Sequence, residues 1–260
     1  MKVVILAGGM GTRLKEETEF KPKPLVNVGG RPILWHIMKI YAYYGFNDFI
    51  IALGYKGWMI KEYFYNYAVY NTDFTIEFGN NTITFHNNLN DNWKVTLVDT
   101  GEHALKGARL KRIEKFIPQD DENFMVTYGD GVSNVNIKEL LNFHIKHGKI
   151  ATLTGVKPIA RFGELEIDGE KIVNFSEKPQ TSGNYINGGF FVFKRKILEY
   201  LYDRDDCDLE YGTLERLASE GELMVYKHED FWYCVDTLRD LEYLNKLYER
   251  KEAKWMMWEK

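Results

Sequence analysis

The 260-residue chain has only two cysteines, Cys207 and Cys234, with no metal-ligand spacing between them, which excludes a cysteine-built metal centre. It also lacks a dominant charge. Lys and Arg number 34 against 38 Asp and Glu, a net charge of −4, which argues against a general binder of nucleic acid or of anionic membranes. A polyanionic ligand would need a local basic site. There is no internal repeat, no low-complexity tract and no signal-like segment before the first apolar run, so a soluble, cytoplasmic protein is expected. The length allows one main domain, 1–260, with elaborations at 71–92 and 237–260. Two familiar phosphate loops are missing as well. No Gly-Lys-Ser/Thr follows the N-terminal glycines, and Leu14 stands where a dinucleotide fingerprint needs its third glycine.

What is present is VVILAGGMGTRL (3–14) followed by KPKPLV (21–26). The β-branched run 3–7 predicts a buried central strand, and its abrupt end in glycines points a loop at a ligand. Without a Cβ, Gly8, Gly9 and Gly11 can take positive φ and bring amide groups close to an anion. Thr12 and Arg13 follow. Pro22 and Pro24 hold the next segment extended, so that Lys23 is aimed, while Lys21 reads as a solvated charge.

Residues 31–45 carry a helical period after Pro32, and 48–55 is again an apolar strand; strand, helix and strand in this order imply a parallel βαβ unit. Residues 58–70 predict a second helix. FTIEF and TITFH alternate around Gly79 to Asn81 and predict an antiparallel hairpin arm that packs on a subunit or on the rim of the sheet. Further strands are expected at 93–101, 124–131, 149–158 and 188–193, with helices at 107–117, 137–147 and 207–220 and a hairpin at 164–179 turning at Asp168 and Gly169. ELMVYKH and FWYCVDT supply the last strands before a C-terminal helix. The fold class is α/β, Rossmann-like, with a mainly parallel mixed sheet sandwiched by helices.

Asp130 lies between Gly129 and Gly131 at the carboxyl end of an apolar strand, where open α/β sheets bind ligands; it is a turn residue or a metal ligand. Asp236 and Asp99 stand in identical VDT triplets, and sequence alone does not separate them.

LAGGMGTRL, KPKPLV and RPILWHIM, followed in order by GYKG, LVDTG, RLKRI, TYGDG, RFGELEI, EKP, INGGFFV, EGEL and VDTLRD, resemble the nucleotidyltransferases that join sugar 1-phosphates to nucleoside triphosphates. The similarity spans nearly the whole chain and is greatest to the cytidylyltransferases. It implies the nucleotidyltransferase fold, CTP and glucose 1-phosphate as substrates, CDP-glucose and pyrophosphate as products, and a homo-oligomer, trimer or hexamer. It places Mg²⁺ on Asp130 and Asp236 and assigns the reaction to Arg13, Lys23 and Asp130. Leu6, Ala7, Gly8, Gly9, Met10 and Gly11 would meet the nucleotide, together with Thr12, Arg13, Lys23, Arg109, Tyr128 and Gly129. Lys178 would hold the sugar phosphate, and Glu164, Glu177, Asn187 and Gly188 the sugar. Ala104 departs from the family, where cytidylyltransferases usually carry threonine. The alternatives are the same chemistry with another nucleotide or sugar 1-phosphate, a glycosyltransferase, and an inactive nucleotide-binding regulator.

Overall fold

The computed structural model describes residues 1–87, 91–158, 164–176 and 184–259. The strand Val3–Ala7 is buried at every position, and its side chains alternate between two cores: Val3, Ile5 and Ala7 enter one, Val4 and Leu6 the other. A strand apolar on both sides requires cover on both sides. The first core is covered by the helices Ile33–Tyr43, Ile137–His147 and Leu238–Glu249, the second by Lys106–Arg112 and the turns around 195–217.

Among the described residues, seven strands make the main sheet, in the order Leu223–His228, Ala151–Val156, Ile186–Lys194, Asn123–Tyr128, Val3–Ala7, Asp48–Leu53, Lys94–Asp99. Only Ile186–Lys194 runs antiparallel to its neighbours, so the sheet is mixed and mainly parallel, as expected. From Val3–Ala7 the chain first builds outward to one edge, then returns with Asn123–Tyr128 on the other flank. The loops after these two strands therefore part in opposite directions and leave a crevice at the carboxyl rim, the place where open α/β sheets bind ligands.

The hairpin Phe74–Glu77 and Thr82–Phe85 forms a separate two-stranded sheet, closed around Asn81 at φ 55. Three helical expectations need correction. The helix expected over 58–70 is two helices, Gly57–Tyr65 and Tyr67–Asn71, joined at Asn66. Residues 207–220 are not one helix: Asp208 caps a wide turn, the backbone leaves helical geometry at Tyr211 and Gly212, and only Glu215–Ser219 is α-helical. Gly212 stands at φ 96, a conformation that favours glycine and ends any helix begun at Leu209. The helix expected over 107–117 likewise closes at Arg112 and continues as a 3-10 turn. In the second hairpin, Asp168 pairs with Lys171, so the turn is Gly169 and Glu170.

The C-terminal tail folds back onto the first core. Trp255 is fully buried, stacks on Phe231, and donates its indole N–H to Nδ1 of His36 at 3.3 Å, while Nε2 of His36 donates to the Val28 carbonyl at 2.8 Å. Both ring nitrogens are thus committed in the neutral form, and burial pulls the His36 pKa down to about 4. In the unfolded chain this histidine takes its proton near 6.5. The unfolded state therefore binds more protons between these values, and stability is expected to fall as pH drops from 6.5 to 4, by on the order of 3 kcal/mol from this group. Urea midpoints across that window, in the wild type and in His36→Gln, will measure it; parallel curves would remove His36 as the cause.

Candidate functional site

Three loops from the carboxyl rim and one helix entrance enclose a cavity of about 390 Å³. Its walls include Leu6, Ala7, Gly8, Gly9, Gly11 and Thr12 of the first strand and its loop. Arg13, Lys23, Arg109, Tyr128, Gly129 and Asp130 also line it, together with Ala104 and Lys106. Of the residues expected to meet the nucleotide, Met10 alone is not part of the wall; it is solvent-exposed. The loop turns at Gly11, φ 63, whose carbonyl accepts from Leu14 N at 2.9 Å and from Thr18 Oγ1 at 3.1 Å.

Lys23 begins a short 3-10 turn between Pro22 and Pro24, and Pro22 is extended at ψ 147, which presents the lysine to the rim as its spacing suggested. Its ammonium donates to Asp130 Oδ2 at 2.7 Å and to Asp236 Oδ1 at 2.8 Å. Arg13 Nη1 reaches the other oxygen of Asp236 at 2.8 Å. Burial pulls the Lys23 pKa down, but the two carboxylates outweigh it and hold the ammonium above its ordinary value. Burial pushes Asp236 up, but Lys23 and then Arg13 outweigh it and keep its carboxyl below the usual range.

Asp236 arrives from far along the chain by two local devices. The short strand Trp232–Cys234 pairs with Gly131–Ser133, and Val235 N donates to the Asp130 carbonyl at 2.9 Å, which sets the two aspartates side by side. Thr237 and Asp240 then form a capping box for the helix Leu238–Glu249, and Asp240 Oδ2 also accepts from Asp236 N at 3.0 Å. The backbone of Asp236 is therefore pinned from both sides. Asp99, in the identical triplet, ends the edge strand and accepts from Gly101 N at 3.0 Å, closing its own turn. Topology separates what the tripeptides do not.

Asp130 and Asp236 converge on one cation, and both are hard oxygen donors. No group of three or more acidic, histidine or cysteine side chains suited to a metal occurs among the described residues. The pair fits a small divalent ion that completes its shell with water and substrate phosphates, the manner of Mg²⁺. Cys234 Sγ donates to Asp236 Oδ2 at 3.7 Å, and burial pushes its thiol up to about 12, which favours the neutral thiol.

Arg109 has a part that its charge did not suggest. It is 4% exposed, and its terminal nitrogens donate to main-chain oxygens of Leu53 (2.9 Å), Gly101 (2.7 Å), Gly8 (3.0 Å) and Glu102 (3.2 Å) and to Thr100 Oγ1 (2.8 Å). It ties three rim loops together beneath the cavity. A Cβ on Gly8 would overlap this guanidinium, which explains the glycine there.

On the side expected to take the sugar, Asn187 Nδ2 donates to the Tyr128 hydroxyl at 3.1 Å, and the Gly188 carbonyl accepts from Trp232 Nε1 at 2.7 Å. Glu177 and Lys178 lie outside the described residues, and of Glu164 only the backbone, opening the strand Glu164–Asp168, is described. Sequence reasoning missed Glu210 and did not single out Lys106. Lys106 lines the cavity, and its ammonium pairs with Glu210.

A family model described as nucleotidyl transferase matches residues 2–251. A glucose-1-phosphate cytidylyltransferase of Salmonella typhi is 50% identical over 259 residues, covering 100% of both chains. A probable glucose-1-phosphate cytidylyltransferase of Bacillus subtilis is 42% identical over 258 residues, 99% of this chain and 100% of the other. Among solved structures, HddC from Yersinia pseudotuberculosis matches with a TM-score of 0.68 at 24% identity, over 95% of this chain and 99% of its own, a likeness of fold alone. A UDP-glucose pyrophosphorylase complexed with UDP-glucose gives 0.68 at 16% identity, over 96% and 98%, again a likeness of fold.

Proposed function

Because this chain belongs to the nucleotidyl transferase family, we propose that it transfers a cytidylyl group from CTP to glucose 1-phosphate, giving CDP-glucose and pyrophosphate. The observation that carries this reading is the meeting of Lys23, Asp130 and Asp236 at the glycine-loop cavity, in a chain 50% identical throughout to a cytidylyltransferase.

A phosphate oxygen of the sugar attacks the α-phosphorus of CTP; the new P–O bond forms as the bond to the β-phosphate breaks, and pyrophosphate leaves with the electron pair. The nucleophile is already an anion near neutral pH, so no general base is required. The barrier lies in bringing anions together and in the charge gathered on the leaving group, which is electrostatic work. A divalent cation, Mg²⁺ in this reading, would sit on Asp130 and Asp236 and supply neutralising charge at the phosphates. The chain adds its own cations. Lys23 turns from the aspartates toward the α-phosphate, and Arg13, whose guanidinium is exposed, forks onto the β- and γ-phosphates. Arg109 keeps the loops at the spacing the nucleoside needs. Lys178 takes the sugar phosphate, and Asn187 with Glu164 and Glu177 takes the hydroxyls.

The hairpin arm supports a homo-oligomer, since Ile76, Phe78, Ile83 and Phe85 are all exposed on it. No helix among the described residues is long and apolar enough to cross a membrane, and a cytoplasmic site of action in nucleotide-sugar supply for surface polysaccharide belongs to the same reading. Pyrophosphate release with CTP, UTP, dTTP and GTP against a panel of sugar 1-phosphates tests it. CTP with glucose 1-phosphate should exceed any other pair by about tenfold or more in kcat/KM, a difference of roughly 1.4 kcal/mol. Equal use of UTP or dTTP would defeat the assignment.

A further inference from the structure

Glu210 does not line the cavity, yet it touches two of the residues that do. Its Oε1 accepts from the Lys106 ammonium and from the Tyr128 hydroxyl, and the same ammonium stands 4.8 Å from the centre of the Tyr128 ring. The Tyr128 hydroxyl in turn accepts from Asn187 Nδ2 at 3.1 Å, and Asn187 Oδ1 accepts from Gly189 N at 2.9 Å. These bonds form one chain, from Lys106 on the nucleotide side through Glu210 and Tyr128 to Asn187 on the sugar side. Its anchor is held firmly. Asp208 Oδ1 accepts from Glu210 N at 2.8 Å, and the turn completed at Gly212 prevents this segment from continuing as a helix.

The other oxygen, Oε2, is buried with no hydrogen-bond partner among the described residues. A buried, half-satisfied carboxylate is costly to keep, so its charge must be held by the Lys106 ammonium and the tyrosine O–H. The cavity's other cations are engaged elsewhere: Arg13 and Lys23 on the aspartates, Arg109 on the loop oxygens. Lys106, at the start of the helix that carries Arg109, is held instead by Glu210.

We propose that Glu210 is a positioning residue for the transfer, fixing Lys106 against the nucleoside and, through Tyr128, Asn187 against the sugar, so that both substrates are aligned from one anchor. This rests on the reading of the cavity as the CTP site and of Asn187 as part of the sugar site. Two double-mutant cycles test it, Glu210→Gln with Lys106→Met read in the KM for CTP, and Glu210→Gln with Asn187→Ala read in the KM for glucose 1-phosphate. Glu210→Gln keeps the shape and removes the charge, and loss of a charge-assisted bond should raise the KM for CTP by about tenfold. In each cycle the double variant should be no worse than the poorer single, because both changes break one connected chain.

Effects that multiply independently would overturn the proposal, as would a Glu210→Gln enzyme with both KM values within about twofold of wild type and only its melting temperature changed. Lys106→Met, at a partly exposed site, tests the nucleotide arm without relying on the Glu210 variant; an unchanged KM for CTP there also overturns it. Titration of the wild-type protein with CTP separates the two levels, for a wild type that binds no CTP fails the underlying reading, whereas one that binds it while Glu210→Gln behaves identically fails this inference alone.

Discussion

Asp130→Asn is expected to lower kcat by about a hundred- to a thousandfold while leaving the fold intact, the scale on which removal of one transition-state electrostatic partner acts. The side chain keeps its volume, and the features that place it do not depend on its charge: Asp130 accepts from Val235 through its carbonyl, and Gly129 N donates to Leu6 O at 3.1 Å. What changes is that one of two oxygen-donor carboxylates at the cavity becomes a neutral amide, so a divalent ion loses half of its fixed charge there. Lys23 retains Asp236 and therefore remains in position. Steady-state rates beside melting curves give the result directly, and a variant that turns over at the wild-type rate would reduce Asp130 to a turn residue.

Lys23→Met should act twice. The KM for CTP should rise and kcat fall, together about a hundredfold or more in kcat/KM, while the KM for glucose 1-phosphate changes little, because the proposed role of this lysine, which lines the glycine-loop cavity, is on the triphosphate. The second effect is on stability. This ammonium is the shared counter-ion of Asp130 and Asp236, and its removal leaves, among the described residues, two neighbouring carboxylates with Arg13, which pairs with Asp236. A loss of about 2 kcal/mol at neutral pH is expected, below the range for fully buried pairs because Asp130 still meets solvent. Mg²⁺ or Mn²⁺ without nucleotide should restore more melting temperature to this variant than to the wild type, since lysine and metal compete for the same oxygens. Equal shifts in the two proteins would place the metal elsewhere.

Much of this arrangement was legible in the residues themselves. A β-branched run ending in glycines can only be a strand that opens onto a loop, and proline on both sides of Lys23 leaves that side chain little freedom. Asp130 stood out by lying between glycines at the end of an apolar strand, and the structure sets it in the cavity wall. Other features had no local signal. GGFFVF is apolar at every position, so nothing in its periodicity tells that Ile186–Lys194 runs against its neighbours. The two VDT triplets differ only in where the sheet order carries them. Arg109 looks in sequence like any helical arginine, and its work on five oxygens depends on three loops that meet only in the folded chain. Lys106 and Glu210 are separated by 104 residues, and Glu210 sits in a stretch whose helical appearance is broken only by Gly212. That glycine, four residues after a capping aspartate, was the one available clue.

The partners of Lys23 lie 107 and 213 residues further along the chain. During synthesis the glycine loop and the first strand of the sheet leave the ribosome long before Asp236 and the strand and capping box that hold it. A chain that stopped before that point would carry the glycine loop and Lys23 without the second of the two carboxylates that hold the lysine in place.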